Sequence, residues 1–423
     1  MHLDFVRSSL LASVDSLYGA EIRAEKRIRT MMKATEGQNA GQANGLATAE
    51  KYYREYGLRA KELHRQGQSI MGYLSALGPV EVITAAGLVP LRLKGDVSES
   101  ITKADAHMET IVCPFVRNVF DAVLKGTYEY LDGIVIPHLC DSTSRTYDTW
   151  AYNVPFPYSF FLNVPHASDQ PSIDFFKSVL GTFMKSLEKF TGKSITHEAL
   201  AQSVKAHNQN RQVMRQLYAL RQANPPLISG VEMTHVLVAA MGLPVNESTQ
   251  LIVSVIDEVK ARAPKAKGTD SARIMILGDQ IDNTAMVEIV ENAGAWVVMD
   301  DVSIGAKIYW RDADETKNPL DGIAERYLRK IPLPTTLVGA GRAYQESLED
   351  RFGHIRGYVK DFSVDGAILF IYKYCDPYGF EVPAMKSYIE ALNVPVLYLE
   401  DEYSTSTMGR LKTRIEAFLE MIA

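Results

Sequence analysis

Residues 67–93 read GQSIMGYLSALGPVEVITAAGLVPLRL, and the order of textures inside this stretch sets the fold class. Residues 69–75 are a short apolar run without polar alternation, as expected of a strand covered on both faces. A loop and a helical run follow, Glu81-Val82-Ile83-Thr84-Ala85, ending in Ala86-Gly87, where glycine supplies the left-handed turn that stops a helix. Residues 89–93 then begin a second apolar run. Strand, helix and strand in immediate succession are the repeat unit of a parallel α/β sheet.

The same grammar returns in the second half of the chain. Ile274-Met275-Ile276-Leu277 leads to Glu288-Ile289-Val290-Glu291-Asn292-Ala293-Gly294, again strand, loop, helix and an Ala-Gly stop. Asp132-Gly133 opens an apolar run that ends in Cys140-Asp141, and Asp365-Gly366 opens one that ends in Cys375-Asp376. The chain therefore reads as a weak duplication in which each half places one cysteine just past the carboxyl end of an equivalent strand. The spacing predicts strands at 69–75, 89–93, 133–137 and 158–164, then at 273–277, 295–299, 367–372 and 394–399. Between the two series, residues 170–260 are helical by period, with breaks at Thr191-Gly192-Lys193-Ser194, Asn224-Pro225-Pro226 and Gly242-Leu243-Pro244. A last helix is expected over 405–421.

Three segments are expected. Residues 1–66 form an N-terminal helical extension, interrupted by the Gly/Asn/Gln stretch 36–45. Residues 67–265 form a first α/β domain carrying Cys113 and Cys140, and residues 266–423 a second carrying Cys375. The boundary is placed in the polar, Pro- and Gly-broken segment 261–271. The fold class is α/β: two related Rossmann- or flavodoxin-like domains with parallel sheets.

Composition narrows the function. With 423 residues, 46% hydrophobic, 23% charged and a net charge of −6, the chain is a globular protein with no electrostatic signature of nucleic-acid or membrane binding. The first residues are too often interrupted by charge for a signal peptide, and no apolar run reaches the ~18 residues of a membrane span. Three cysteines are too few and too odd for a disulfide framework. A cytoplasmic location is the expectation.

The cysteines are the chemistry-bearing residues. Taken singly, a cysteine among apolar neighbours is a small buried hydrophobe. Taken together, Cys113, Cys140 and Cys375 all fall at strand or helix ends, and ligands of open parallel sheets gather beyond the strands' carboxyl ends. Pro114 suits a first helical position, which places Cys113 at a helix N-terminus, where thiolates are favoured. Structural zinc sites usually show cysteine pairs two to four residues apart, and none occurs here. His138, two residues before Cys140, is a possible ligand or a cleft-lining residue. Three thiolates around a cubane leave one iron without a protein thiol.

At this point the residues resemble a known family. The run from Gly72 through Pro90, Cys113 with Arg117, Tyr130-Leu131-Asp132-Gly133 leading to Cys140-Asp141 and Trp150, and Phe370-Ile371-Tyr372-Lys373-Tyr374-Cys375-Asp376-Pro377 are similar to the benzoyl-CoA reductase and 2-hydroxyacyl-CoA dehydratase family. The likeness runs from about Gly67 to the C-terminus and is greatest to the smaller, C-type subunit of ATP-dependent benzoyl-CoA reductases. It implies a heterodimer of two related subunits, each with an iron–sulfur cluster on three cysteines. Here that means a [4Fe-4S] cluster on Cys113, Cys140 and Cys375, or a double-cubane [8Fe-9S] cluster if two subunits share it. It also implies a separate ATP-hydrolysing iron–sulfur activator that injects single electrons at very low potential. The acceptor is an acyl-CoA, which becomes a ketyl-type radical anion.

The implied activity is reduction of a CoA thioester of the benzoyl-CoA reductase type. The alternatives are a radical 2-hydroxyacyl-CoA dehydratase, an electron-relay or scaffold subunit, and a double-cubane reductase. Ser75 and Glu81 could face the same cleft, Glu81 as a proton carrier. Its other reading is an acidic residue placed in a helix's first turn by the dipole. Thr191-Gly192-Lys193-Ser194 mimics a P-loop end, but Leu187 stands where glycine is required. Gly339-Ala340-Gly341 begins like a dinucleotide fingerprint, yet Tyr344 breaks it. The aromatic run 152–161 is expected in the core and cleft wall rather than as a base-stacking platform.

Overall fold

A computed structural model describes residues 44–262, 270–336, 344–406 and 408–422. Residues 1–43, most of the 36–45 stretch, the core of the 261–271 boundary segment and Gly339-Ala340-Gly341 lie outside the described residues. From Gly45 to the C-terminus the chain forms one compact unit. It begins with two helices, Gly45–Arg54 and Leu58–Arg65, as expected for that part of the extension.

Eight strands follow: β1 (Ile70–Tyr73), β2 (Val89–Arg92), β3 (Gly133–Pro137), β4 (Tyr158–Leu162), β5 (Arg273–Gly278), β6 (Trp296–Asp301), β7 (Gly366–Tyr372) and β8 (Val396–Asp401). They form two four-stranded sheets, ordered β2-β1-β3-β4 and β6-β5-β7-β8, with every pairing parallel. The orders are identical, so β3 corresponds to β7, as the duplicated Asp-Gly…Cys-Asp pattern requires. A matching detail fixes the two registers. The Asp132 carboxylate accepts the amide of Ile70, first residue of β1, at 2.7 Å. The Asp365 carboxylate accepts the amide of Arg273, first residue of β5, at 2.8 Å. Each aspartate thereby ties the start of one inner strand to the start of the other.

Both Ala-Gly stops behave as read. Gly87 and Gly294 have φ of 76° and 99°, a region that costs a side-chain-bearing residue about 1–2 kcal/mol. The helical middle is four helices, Gln170–Thr191, His197–Ala219, Gly230–Met241 and Val245–Ala261, separated at the three predicted breaks. Gly192 is the left-handed cap of the first, and Thr196 caps the second by accepting the Ala199 amide, so the P-loop mimic is a helix junction. Helix Gln170–Thr191 packs on the first sheet through Phe176, Phe183 and Leu187 against Met71, Val135 and Leu162. Each such fully buried side chain contributes roughly 1.5–3 kcal/mol relative to exposure.

One expectation fails at the sheet margins. β4 and β8 are not covered on both faces; most of their residues are partly exposed. Edge position alone does not explain this, because β2 and β6 are also edge strands and are fully buried; an apolar run cannot report which edge other elements cover. The aromatic run 152–161 accordingly includes Tyr152, 91% exposed, rather than a uniform core. Among the described residues no helix is long and apolar enough to cross a membrane.

Candidate functional site

Each of the three cysteines is the residue immediately before a helix. Cys113 precedes Pro114–Leu124, Cys140 precedes Asp141–Asn153 and Cys375 precedes Asp376–Glu390. Cys140 and Cys375 each stand three residues beyond the end of their strand, β3 at Pro137 and β7 at Tyr372. Cys113 opens the crossover helix between β2 and β3. In each case the backbone amide three residues on favours the thiolate: Val116 for Cys113, Thr143 for Cys140 and Tyr378 for Cys375. That amide is one of the donors a helix start leaves unpaired.

These helix starts converge. A cavity of about 630 Å³ at the carboxyl ends of the strands is lined by all three cysteines. Leu74, Val116, Leu139 and Leu333 supply apolar wall, and among the described residues no lysine, arginine or histidine lines it. In both sheets this is where strand order reverses, between β1 and β3 and between β5 and β7, the usual ligand position in open α/β sheets. Burial pushes the Cys113 thiol up to about 12 and raises those of Cys140 and Cys375. The Cys113 and Cys140 charges also raise Cys375, so the three sulfurs share one electrostatic environment. Among the described residues no three His, Cys, Asp or Glu side chains lie close enough to hold a single metal ion.

The cavity floor joins the two halves through polar groups. Gln280 donates to Ser75 Oγ at 3.0 Å and to the Asp279 carboxylate at 3.1 Å. Arg92, at the end of β2, donates to Gln280 Oε1 and to the Ser303 carbonyl, both at 2.7 Å. The Ser303 hydroxyl donates to Asp279, whose carboxyl is raised by burial. Ser75 and Tyr374 have φ of 67° and 62°, and both line the cavity. Left-handed backbone at non-glycine residues is concentrated at functional sites. Behind Cys113, Arg117 donates to the Thr110 carbonyl at 2.8 Å and to Asp105 at 2.7 Å, bracing the loop that delivers the thiol.

The structure thus brings together Cys113, Cys140, Cys375 and Ser75. It does not bring Glu81. That residue is fully buried, ion-paired with Arg211, and accepts the Tyr327 hydroxyl at 2.8 Å. The nearby Arg211 and Arg326 guanidinium groups outweigh burial and hold its carboxyl far below the ordinary range. A carboxylate so held carries no proton near neutrality, so the proton-carrier reading is wrong. The first-turn reading is incomplete, because its partner is another side chain rather than only a helix dipole. His138 does not line the cavity. Its ring packs against His166 and Phe161, at 4.5 and 5.6 Å between centroids. None of the residues 152–161 lines the cavity either. Sequence reasoning missed Asp279 and Gln280, although they directly follow β5, where the rule that ligands lie beyond strand carboxyl ends points.

Comparisons with known proteins identify the family. The chain is 25% identical over 86% of its length to the (R)-phenyllactyl-CoA dehydratase beta subunit of Clostridium sporogenes, covering 94% of that protein. It is 22% identical to one of the subunits of benzoyl-CoA reductase from Thauera aromatica, over 90% of this chain and 98% of the relative. It is 24% identical to the beta subunit of (R)-2-hydroxyglutaryl-CoA dehydratase from Acidaminococcus fermentans, over 84% and 93%. Among solved structures, a likeness to the crystal structure of the SsGBP and GDP complex covers 84% of this chain and 99% of that one. At 9% identity and a TM-score of 0.21 it carries no argument. Residues 76–422 match the family model described as 2-hydroxyglutaryl-CoA dehydratase, D-component, a span that includes all three cysteines and every strand but β1. The chain therefore belongs to that family of CoA-thioester dehydratase and reductase subunits.

Proposed function

We propose that this chain is the smaller, iron–sulfur-carrying subunit of a cytoplasmic enzyme that passes single low-potential electrons to a CoA thioester. Cys113, Cys140 and Cys375 hold one cubane cluster, [4Fe-4S]. The observation that carries this reading is the convergence of three helix starts, each led by a cysteine, on one cavity. The donor set fits the group. Three soft sulfurs with no competing basic side chain suit iron and sulfide rather than a hard oxygen-seeking ion. A single tetrahedral ion needs ligand atoms about 2.3 Å from one point, whereas a cubane accepts thiols set further apart. Three positive helix ends favour the negative charge of thiolate ligands.

When bound, such a cluster supplies one-electron transfer at a potential set by burial and hydrogen bonding to its sulfurs. The chain's own part is structural and electrostatic. Leu74, Val116 and Leu139 keep water from the sulfurs, and the amides of Val116, Thr143 and Tyr378 orient toward them. The Ser75–Gln280–Arg92 bridge holds residues 67–265 and 266–423, taken as two domains, in fixed register across the cavity. The partners under this reading are a homologous second subunit and a separate ATP-hydrolysing activator. The helix junction at Gly192 offers no phosphate loop in this chain.

Two reactions share the electron-transfer step. A benzoyl-CoA-type reduction consumes two electrons per product, whereas 2-hydroxyacyl-CoA dehydration consumes none overall. The family description and two of the three relatives favour the dehydratase. Iron and acid-labile sulfide counts on anaerobically purified protein test the core of the proposal. About four of each per chain are expected, with Cys113→Ser, Cys140→Ser and Cys375→Ser each losing most of both while keeping the parent circular dichroism. A folded parent without iron, or variants that keep their full complement, would refute it.

A further inference from the structure

A second cavity, of about 650 Å³, shares Ser75 with the first. Its wall is made differently. Among the described residues three guanidinium groups line it, from Arg92, Arg211 and Arg326, and no carboxylate does. Arg211 is matched by Glu81 behind the wall. The other two have no carboxylate hydrogen bond among the described residues. Arg92 donates to the Ser303 carbonyl and the Gln280 side-chain oxygen. Arg326 donates to the carbonyls of Arg311 and Ile308. Both are almost fully buried, at 1% and 2% exposure. A buried cation is costly and proteins normally pair it; here one buried carboxylate, Glu81, is shared by Arg211 and Arg326.

A second observation is independent of the charges. The hydroxyls of Tyr73 and Tyr309 have no hydrogen-bond partner among the described residues, although both side chains line this cavity and are more than nine-tenths buried. Tyrosine hydroxyls in the interior almost always find an acceptor. Here two hydroxyl donors and three guanidinium groups, two of them hydrogen-bonded only to neutral acceptors among the described residues, face one space. They are close enough that Arg92, Arg211 and Arg326 all influence Tyr309 electrostatically. Burial and the neighbouring Arg211 also pull Arg326 down to about 10, against the opposing pull of Glu81, Tyr327 and Asp312. Met241, Leu243 and Val245 add hydrocarbon to the wall, beside the polar side chains of His207, Asn210 and Ser248.

We propose that this second cavity binds a small organic acid, with its carboxylate on Arg326, Tyr309 and Tyr73 and its hydrocarbon against Met241 and Leu243. The site requires an acceptor-only, negatively charged head, which a carboxylate supplies and an amide or alcohol does not. The apolar wall favours an acid with a short carbon chain over an inorganic anion. The carboxylate could belong to a free acid or to an acyl thioester that carries a second, free carboxyl group. The proposal does not depend on iron in the first cavity.

Isothermal titration of the full chain tests this with butanoate, butanamide, succinate, phosphate and succinyl-CoA as probes. Butanoate or succinate is expected to bind once per chain, butanamide not at all, and phosphate more weakly. Tyr309→Phe and Tyr73→Phe each remove a hydroxyl that holds nothing in the structure. They should weaken acid binding about tenfold or more, while the melting temperature stays level or rises. Arg326→Gln should abolish binding, and the tyrosine variants keep the test decisive if that variant does not fold. Displacement of butanoate by succinyl-CoA supports the site and assigns it to a thioester's free carboxylate. Binding of the free acids without such displacement supports it and assigns it to a separate acid. The proposal is overturned if neither acid shows saturable binding, if butanamide or phosphate binds as well as butanoate, or if the tyrosine variants bind unchanged.

Discussion

Replacing Glu81 with glutamine should destabilise the chain by about 3–5 kcal/mol, and replacing Arg211 in the same molecule should restore most of it. The carboxylate is completely buried, with one oxygen on Arg211 and the other accepting the Tyr327 hydroxyl at 2.8 Å. Glutamine keeps the volume, so no cavity forms and the loss is electrostatic. Arg211 cannot shed its proton and would be left with only neutral acceptors, the new amide oxygen and Asn208 at 2.7 Å. Arg326, a second buried guanidinium nearby, would lose the same counter-charge. The upper half of the range is therefore expected for Glu81→Gln alone. In Glu81→Gln with Arg211→Met, the orphaned charge is gone, and exchanging a buried pair for neutral groups is often close to neutral. Urea unfolding followed by tryptophan fluorescence measures both, because Trp150 and Trp296 are fully buried and lie one in each half. A single variant within about 1 kcal/mol of the parent would sink the reasoning, since it would mean that the buried charge is solvated by something else. A double variant no better than the single one would do the same.

Two further outcomes follow from local geometry. His207 is buried, and desolvation lowers it from the ordinary 6.5 to about 4, against the opposing pull of Glu81. The unfolded chain therefore takes up a proton between about pH 6.5 and 4 that the folded chain refuses, so stability falls with falling pH by up to about 3 kcal/mol. His207→Gln should flatten that part of the stability–pH curve, and an unchanged slope would show that the histidine is protonated in the folded state. The second outcome contrasts two glycines. A Cβ at Gly278 would lie 2.1 Å from the Phe370 carbonyl oxygen in the neighbouring strand β7, so Gly278→Ala should lose about 1–3 kcal/mol or more through overpacking. Gly87 has φ of 76° with nothing within 4 Å of a Cβ, so Gly87→Ala should lose only about 1 kcal/mol of backbone strain. Equal losses in denaturant midpoints would contradict the close approach of β5 to β7.

The strands were legible because each is bounded by turn residues and set by periodicity, both local properties. β3 is predicted to the residue, and the Ala-Gly stops gave the correct turn conformation at Gly87 and Gly294. What failed was whatever depends on distant neighbours. Exposure of β4 and β8, when the other edge strands β2 and β6 are buried, depends on which edge distant elements cover, which an apolar run does not encode. The role of Glu81 follows from Arg211, 130 residues later, and the Arg92–Gln280 bridge spans 188 residues. From the local context alone Glu81 looked like an acid at a helix start and Arg92 like the end of a strand. The cysteines escaped this difficulty because the duplication supplied long-range information. Equivalent strands in equivalent sheets must end at equivalent places, which located Cys140 and Cys375 relative to each other from the sequence alone.

The same duplication explains why the site is lopsided. Two identical strand orders facing each other can place functional residues in pairs, and Cys140 and Cys375 are such a pair. Cys113 has no counterpart. It opens the crossover helix between β2 and β3, whereas the matching helix between β6 and β7, Tyr344–Asp361, has no cysteine before it, since Cys375 is the one cysteine of the second half. A symmetric site would hold two thiols or four; this one holds three. The second half instead turns Leu333, Pro334 and Thr335 toward the cavity. None of these three side chains offers a thiol. Loss of symmetry at one helix start is what leaves an approach free of protein sulfur, and under the proposed function that approach is where anything other than the protein must meet the metal.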